Sequence, residues 1–137
     1  MIDLEWKDEY LLGIPEIDRQ HKGICDCAKA IEEGLAKHDV WLADTSTVEL
    51  LSLIQHHNAL EESLMRILGY PELERHIEEH RRIQADVHDL VKNSLRVKGS
   101  LTSALLKTIQ EWQREHIMTS DKHYADYFSR LASNKVA

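Results

Sequence analysis

The chain has 137 residues and a formal net charge of -7, with 42% hydrophobic residues, five glycines, two prolines and two cysteines. That length suits one domain with a real core, and the acidic balance without a Lys/Arg cluster argues against nucleic acid as a partner. No stretch approaches the ~18 apolar residues of a membrane span, so no membrane role is expected.

The acidic start, Met1-Ile2-Asp3-Leu4-Glu5, has no apolar core of a secretory signal, and we expect a cytoplasmic protein. Few helix breakers and no alternating Val/Ile runs predict an all-α fold over residues 1–137. Residues 1–15 read as a non-helical arm, punctuated by Gly13-Ile14-Pro15 and anchored by Trp6.

Helix one is expected at about 16–37. Its stripe, Ile17, His21, Ile24, Ala28, Ile31 and Leu35, steps by fours and threes as a bundle seam does. Gly34 is a mild weakness inside it. Cys25 and Cys27 point roughly 160° apart on a helix, too far for a mutual disulfide, so they read as small buried thiols.

Asp39 to Ser46 reads as a loop, with Asp44, Thr45 or Ser46 as helix caps. Helix two then spans about 47–68, with Leu50, Ile54, Leu64 and Leu68 on its buried face. His57 and Glu61 share that face as an i, i+4 pair. Gly69-Tyr70-Pro71 turns the chain into helix three, about 72–97, whose stripe is Leu73, His76, His80, Ile83, Val87 and Leu90. Arg75, Glu78, Glu79, Arg81, Arg82 and Asp86 fall off that stripe and read as a solvated face.

Lys98-Gly99-Ser100 makes the next turn. Helix four, about 102–131 with a break near Thr119-Ser120, carries Leu105, Ile109, Trp112 and His116. Asp121 follows His116 by five residues, about 140° of rotation on an ideal helix. The helix is therefore overwound or widened there, or the two side chains reach one centre from different sides. Short loops between four helices predict an up-down-up-down bundle.

Seven polar groups lie on or beside these apolar stripes: His21, His57, Glu61, His76, His80, His116 and Asp121. Desolvating two carboxylates and five imidazoles without partners is not tolerable, and a metal centre satisfies them together. Seven ligands are too many for one tetrahedral zinc, and five imidazoles are too many for magnesium or calcium. Two transition metals bridged by both carboxylates fit. Five histidines then divide three and two, so one metal reaches six-coordination and the other keeps a vacant position.

The chain resembles the hemerythrin family. The resemblance rests on Gly13-Ile14-Pro15-Glu16-Ile17-Asp18-Arg19-Gln20-His21, on His57 with Glu61, Glu62 and Met65, and on Tyr70-Pro71. It continues through His76 with His80, Trp112 with His116-Ile117, and His116 with Asp121. It implies a non-haem centre of two iron ions that binds O2 reversibly, as carrier, store or sensor rather than as an enzyme. It places His76, His80 and His116 on the six-coordinate iron and His21 and His57 on the open one. Glu61, Asp121 and an oxo or hydroxo group would bridge. Azide and other small anions are further expected ligands.

The candidate O2 pocket is Trp112, Gln113, Ile117 and Thr119. Where the family carries leucine-like residues three before and three after the helix-four histidine, this chain has Gln113 and Thr119. A polar pocket admits water and shortens the life of an O2 adduct. Those two residues therefore favour the alternative, a di-iron enzyme consuming peroxide or nitric oxide. Asn58 also stands where the family has an aromatic residue. Glu62 reads as either a partner for a ligand imidazole or a solvated residue, and Met65 and Trp112 read as core. His38, His56, His88 and His123 read as surface histidines.

Overall fold

The computed structural model describes residues 4–94 and 102–136. Its long elements are α1 (Pro15–Ala36), α2 (Val40–Ile67), α3 (Leu73–Ser94), α4 (Thr102–Glu111), a π-helical segment (Trp112–Asp121) and α5 (Lys122–Val136). The last three run on without a break, so they form the fourth rod of an all-α four-helix bundle. α1 packs on α2, α2 on α3, α3 on α4, and α4 returns to α1, the order expected of short connections. The expected end of helix three at Val97 and the turn Lys98-Gly99-Ser100 lie outside the described residues, as do Met1-Ile2-Asp3. No helix among the described residues is long and apolar enough to cross a membrane.

The N-terminal arm is not wholly extended, because Asp8–Tyr10 forms one 3-10 turn. Leu4 and Tyr10 are buried, and Trp6 packs edge-on against Tyr10 with centroids 5.4 Å apart. Pro15 takes the first position of α1, where a missing N–H costs nothing. The Asp18 carboxylate reaches back to accept the N–H groups of Leu12 (2.8 Å) and Gly13 (3.1 Å), which joins arm to helix.

The largest departure from the sequence reading is at the start of α2. The segment expected as a loop is helical from Val40, and neither Asp44, Thr45 nor Ser46 is the cap. Asp39 is the cap; its side chain accepts the N–H of Leu42 at 3.0 Å. α1 ends through His38, which adopts a φ of 56°. Nothing between Val40 and Ser46 breaks a helix, and Ala43 is buried against α1. Gly34 makes this approach possible. A Cβ there would lie 2.7 Å from the Ala43 backbone nitrogen, so the glycine is a packing requirement rather than a weakness.

The buried face of α2 also differs in its C-terminal half. It runs Leu50, Ile54, His57, Glu61 and Met65, while Leu64 is half-buried and Leu68 is exposed beyond the helix end. Met65 joins Tyr70 and Tyr124 in a small apolar cluster at one end of the bundle. The main core is a second cluster built on Ile24, Ile31, Leu50, Val87, Leu105 and Ile109. The polar residues sit between these two clusters. Cys25 and Cys27 are buried free thiols, as expected.

Candidate metal centre

Each of the four rods delivers at least one of the seven residues to one buried locus. His21 comes from α1, His57 and Glu61 from α2, His76 and His80 from α3, and His116 and Asp121 from the π-helical segment. All seven are at most 5% exposed, and Glu61, Asp121 and His21 are fully buried. The one-residue widening of the fourth rod resolves the His116–Asp121 spacing: the amide of Lys122 bonds back to the carbonyl of Ile117, five residues earlier. This brings positions i and i+5 onto one face, and His116 Nε2 lies 3.2 Å from Asp121 Oδ1. The helix is not broken at Thr119-Ser120.

The seven residues form two overlapping groups. One contains Glu61, His76, His80, His116 and Asp121; the other contains His21, His57, Glu61 and Asp121. Within each, one ligand atom per residue lies within 4.8 Å of all the others. The two carboxylates belong to both. Asp121 approaches His76 at 3.0 Å and His21 at 3.1 Å, while Glu61 lies 3.6 Å from both His76 and His80 and close against His57.

These contacts are near, yet most do not have the direction of hydrogen bonds. The Nε2 atoms of His76, His80 and His116 and all four oxygens of Glu61 and Asp121 are buried without a protein hydrogen-bond partner. Such atoms are rare in folded proteins, because each costs about 1–3 kcal/mol or more when charged. Here they converge. Lone pairs that face a common point instead of one another are what metal cations satisfy, and the imidazole-rich donor set suits transition metals.

The outer sides of the imidazoles agree with this. Nδ1 of His57 lies 3.0 Å from Gln20 Oε1, Nδ1 of His80 3.3 Å from Glu62 Oε2, and Nδ1 of His116 3.0 Å from Glu79 Oε2. An oxygen acceptor there keeps the proton on Nδ1 and leaves Nε2 bare toward the centre. Glu62 is thus a partner of a site imidazole. Glu79, which the sequence reading assigned to the solvated face, is half-buried and also accepts the Ser120 hydroxyl at 2.5 Å. Its spacing of three from His76 was the available signal. Gln20 and Tyr124 were also missed. Tyr124 is fully buried, edge-on to His76 at 5.4 Å, with its hydroxyl unpartnered.

The facing imidazoles and carboxylates shift one another's protonation. Burial alone would lower His21, His76 and His116, but Asp121 and Glu61 outweigh it and raise them to about 9, 9 and 10, with Glu79 adding to the effect on His116. Burial likewise would raise Glu61 and Asp121, yet the facing imidazoles hold both well below the usual carboxylate range. Glu79 is lowered to about 2, chiefly by its bond to His116. Burial pushes the Tyr124 phenol up, so it stays neutral.

The four expected pocket residues separate. Trp112 stands edge-on to both His21 (5.4 Å) and His57 (6.3 Å), so it walls the two-histidine side as well as filling core. Ile117 is fully buried in the main core. Gln113 is fully buried too, but its amide donates to Cys25 Sγ at 2.6 Å and its Oε1 has no protein partner. Thr119 is exposed and lines an open outer groove of about 530 Å3 with Glu79 and Ser120, because the widened turn rotates it outward. It is not part of an inner pocket. The inner cavity, about 10 Å3, is lined instead by Ile24, Ile54, Ile83, Ile109 and Trp112. His57, His80 and Asn58 also face it. His38, His56, His88 and His123 are exposed.

Residues 12–128 match the family model described as the hemerythrin HHE cation binding domain. The chain is 28% identical over 127 residues to a bacteriohemerythrin of Clostridium acetobutylicum, covering 88% of this chain and 98% of that protein. It is 26% identical over 114 residues to a bacteriohemerythrin of Campylobacter jejuni, covering 82% and 85%. It is 24% identical over 120 residues to a myohemerythrin of Theromyzon tessulatum, covering 88% and 89%. The family match spans all seven buried ligand candidates as well as most of the bundle, and the chain belongs to the hemerythrin family.

Proposed function

We propose that the chain is a non-haem di-iron protein that binds O2 reversibly, as a carrier, store or sensor rather than an enzyme. In this reading His76, His80 and His116 hold one iron and His21 and His57 the other. Glu61 and Asp121, which belong to both groups, would be shared by the two. The observation that carries it is the sharing of both carboxylates between two groups that hold three and two imidazoles. The group with fewer imidazoles is the one with a position to spare. Bound iron supplies the redox couple and that open position.

The chain's own side chains do the rest. Glu62, Glu79 and Gln20 orient three of the five imidazoles, and Trp112 with Ile24, Ile54 and Ile109 keeps bulk water away from the side where a small ligand is held. Imidazoles are neutral donors, so this centre is less anionic than one built mainly of carboxylates. That favours holding O2 over driving iron to high valence. The outward position of Thr119 and the engagement of Gln113 by Cys25 remove much of what favoured a peroxide- or nitric-oxide-consuming enzyme.

The test is iron content per chain together with visible spectra of the reduced protein before and after O2. About two irons, and a charge-transfer band that disappears on deoxygenation, are expected. Rapid conversion to a ferric form with turnover of peroxide would establish the enzyme instead. A ferric spectrum that ignores added azide would mean there is no exchangeable position.

A further inference from the structure

The inner cavity is apolar except at the site histidines and at one point. Ile24, Ile54, Ile83, Ile109 and Trp112 enclose it, and among the described residues Asn58 supplies the one carboxamide on its wall. Its volume of about 10 Å3 is close to the minimum that holds one water, so it has room for about one atom of a ligand whose other end lies at the site histidines. It touches His57 from the two-histidine group and His80 from the three-histidine group, and so lies beside both candidate metal positions.

Asn58 is 7% exposed, and placing an amide there is costly unless it has work to do. Its amide nitrogen donates to Gln84 Oε1 at 3.5 Å, the outer limit of a hydrogen bond. A bond that long is readily exchanged for a better acceptor. Gln84 itself is exposed on α3. The pair therefore spans from the cavity to solvent between α2 and α3.

We infer that Asn58 determines which small ligands the centre retains: its amide donates a hydrogen bond to an anionic ligand held in the cavity, and Gln84 is the outer leaf of the entry. The inference rests on the di-iron reading. An apolar cavity by itself prefers a neutral diatomic. A single donor at its wall shifts the preference toward ligands that carry negative charge on the atom remote from the metal, because hydrogen bonds to charged acceptors are the stronger ones. Gln84 has no such preference; it changes how fast a ligand passes.

Azide is the probe, added to the ferric protein of the wild type and of two variants. Asn58→Leu, close to isosteric, is expected to weaken azide binding about tenfold or more with iron content unchanged. The infrared antisymmetric stretch of bound azide should shift between H2O and D2O in the wild type and not in Asn58→Leu. Gln84→Ala should speed azide entry and exit together and leave Kd within about twofold. Should the leucine variant fail to fold, Asn58→Ala, which adds no bulk, carries the same two expectations. Equal azide affinity in the wild type and either Asn58 variant, or a D2O shift that survives the substitution, overturns the inference. A wild type that holds two irons and binds no azide overturns the exchangeable position of the proposed function first, and the two failures are thereby distinguished.

Discussion

Behind the three-histidine group stand two carboxylates, Glu62 on His80 and Glu79 on His116; behind the two-histidine group stands a neutral amide, Gln20 on His57. The first side adds three imidazoles to the shared carboxylates, and an open charged groove runs outside it. The second adds two and is walled by Trp112. A carboxylate behind an imidazole makes it a better donor to a cation, while an amide only fixes its tautomer. On the proposed reading, one side of the site keeps a cation and the other leaves room for an exchangeable ligand.

The largest expected effect removes what the two sides share. Glu61→Gln keeps the shape and deletes the charge, and iron per chain should fall from two to at most one, by metal analysis of the purified variant. Full retention of both irons would break the bridging assignment.

Chelation of all metal should lower Tm by roughly 10 °C or more, because binding to the folded state alone adds directly to stability. The gap should depend on pH. In the metal-free protein the raised values of about 9 to 10 for His21, His76 and His116 contribute stability that is fully present below their unfolded value near ~6.5. That contribution is lost as pH rises through about 9 to 10. Metal displaces the same protons, so the difference in Tm between loaded and metal-free protein should widen from pH 6 to pH 10 in calorimetry. A constant gap would mean that the imidazoles are not where the metal binds.

A smaller change sharpens the contrast between the sides. Glu79→Gln should weaken retention of the more tightly held metal by about 10- to 100-fold in a chelator competition, whereas Gln20→Ala should act on the other metal and by less. Equal effects on both metals would erase the asymmetry. The smallest effect lies far from the metal. Gly34→Ala should cost about 1–3 kcal/mol in denaturant unfolding, since its Cβ would meet backbone rather than a flexible side chain. Iron content should not change.

Much of this was legible from residue order alone. Helical stripes with polar interruptions at His21, His57, Glu61, His76, His80 and His116 are local patterns, and the cost of burying such groups does not depend on knowing the fold. The residue types themselves limited the metal and required an unequal division of imidazoles. Other features were invisible for a common reason: they depend on which atoms of distant segments meet. Asp39 was overlooked as a cap because Gly34 lets α2 start close against α1, a fact of helix packing and not of propensity. Glu79 belongs to the site because the widened fourth rod brings His116 to it, and the same widening carries Thr119 out to solvent. Composition and spacing determined that seven costly groups had to share an interior. Only the packed bundle decided which of them have carboxylates behind them and which have a cavity beside them, because a backbone shift of one residue per turn reassigns every neighbour.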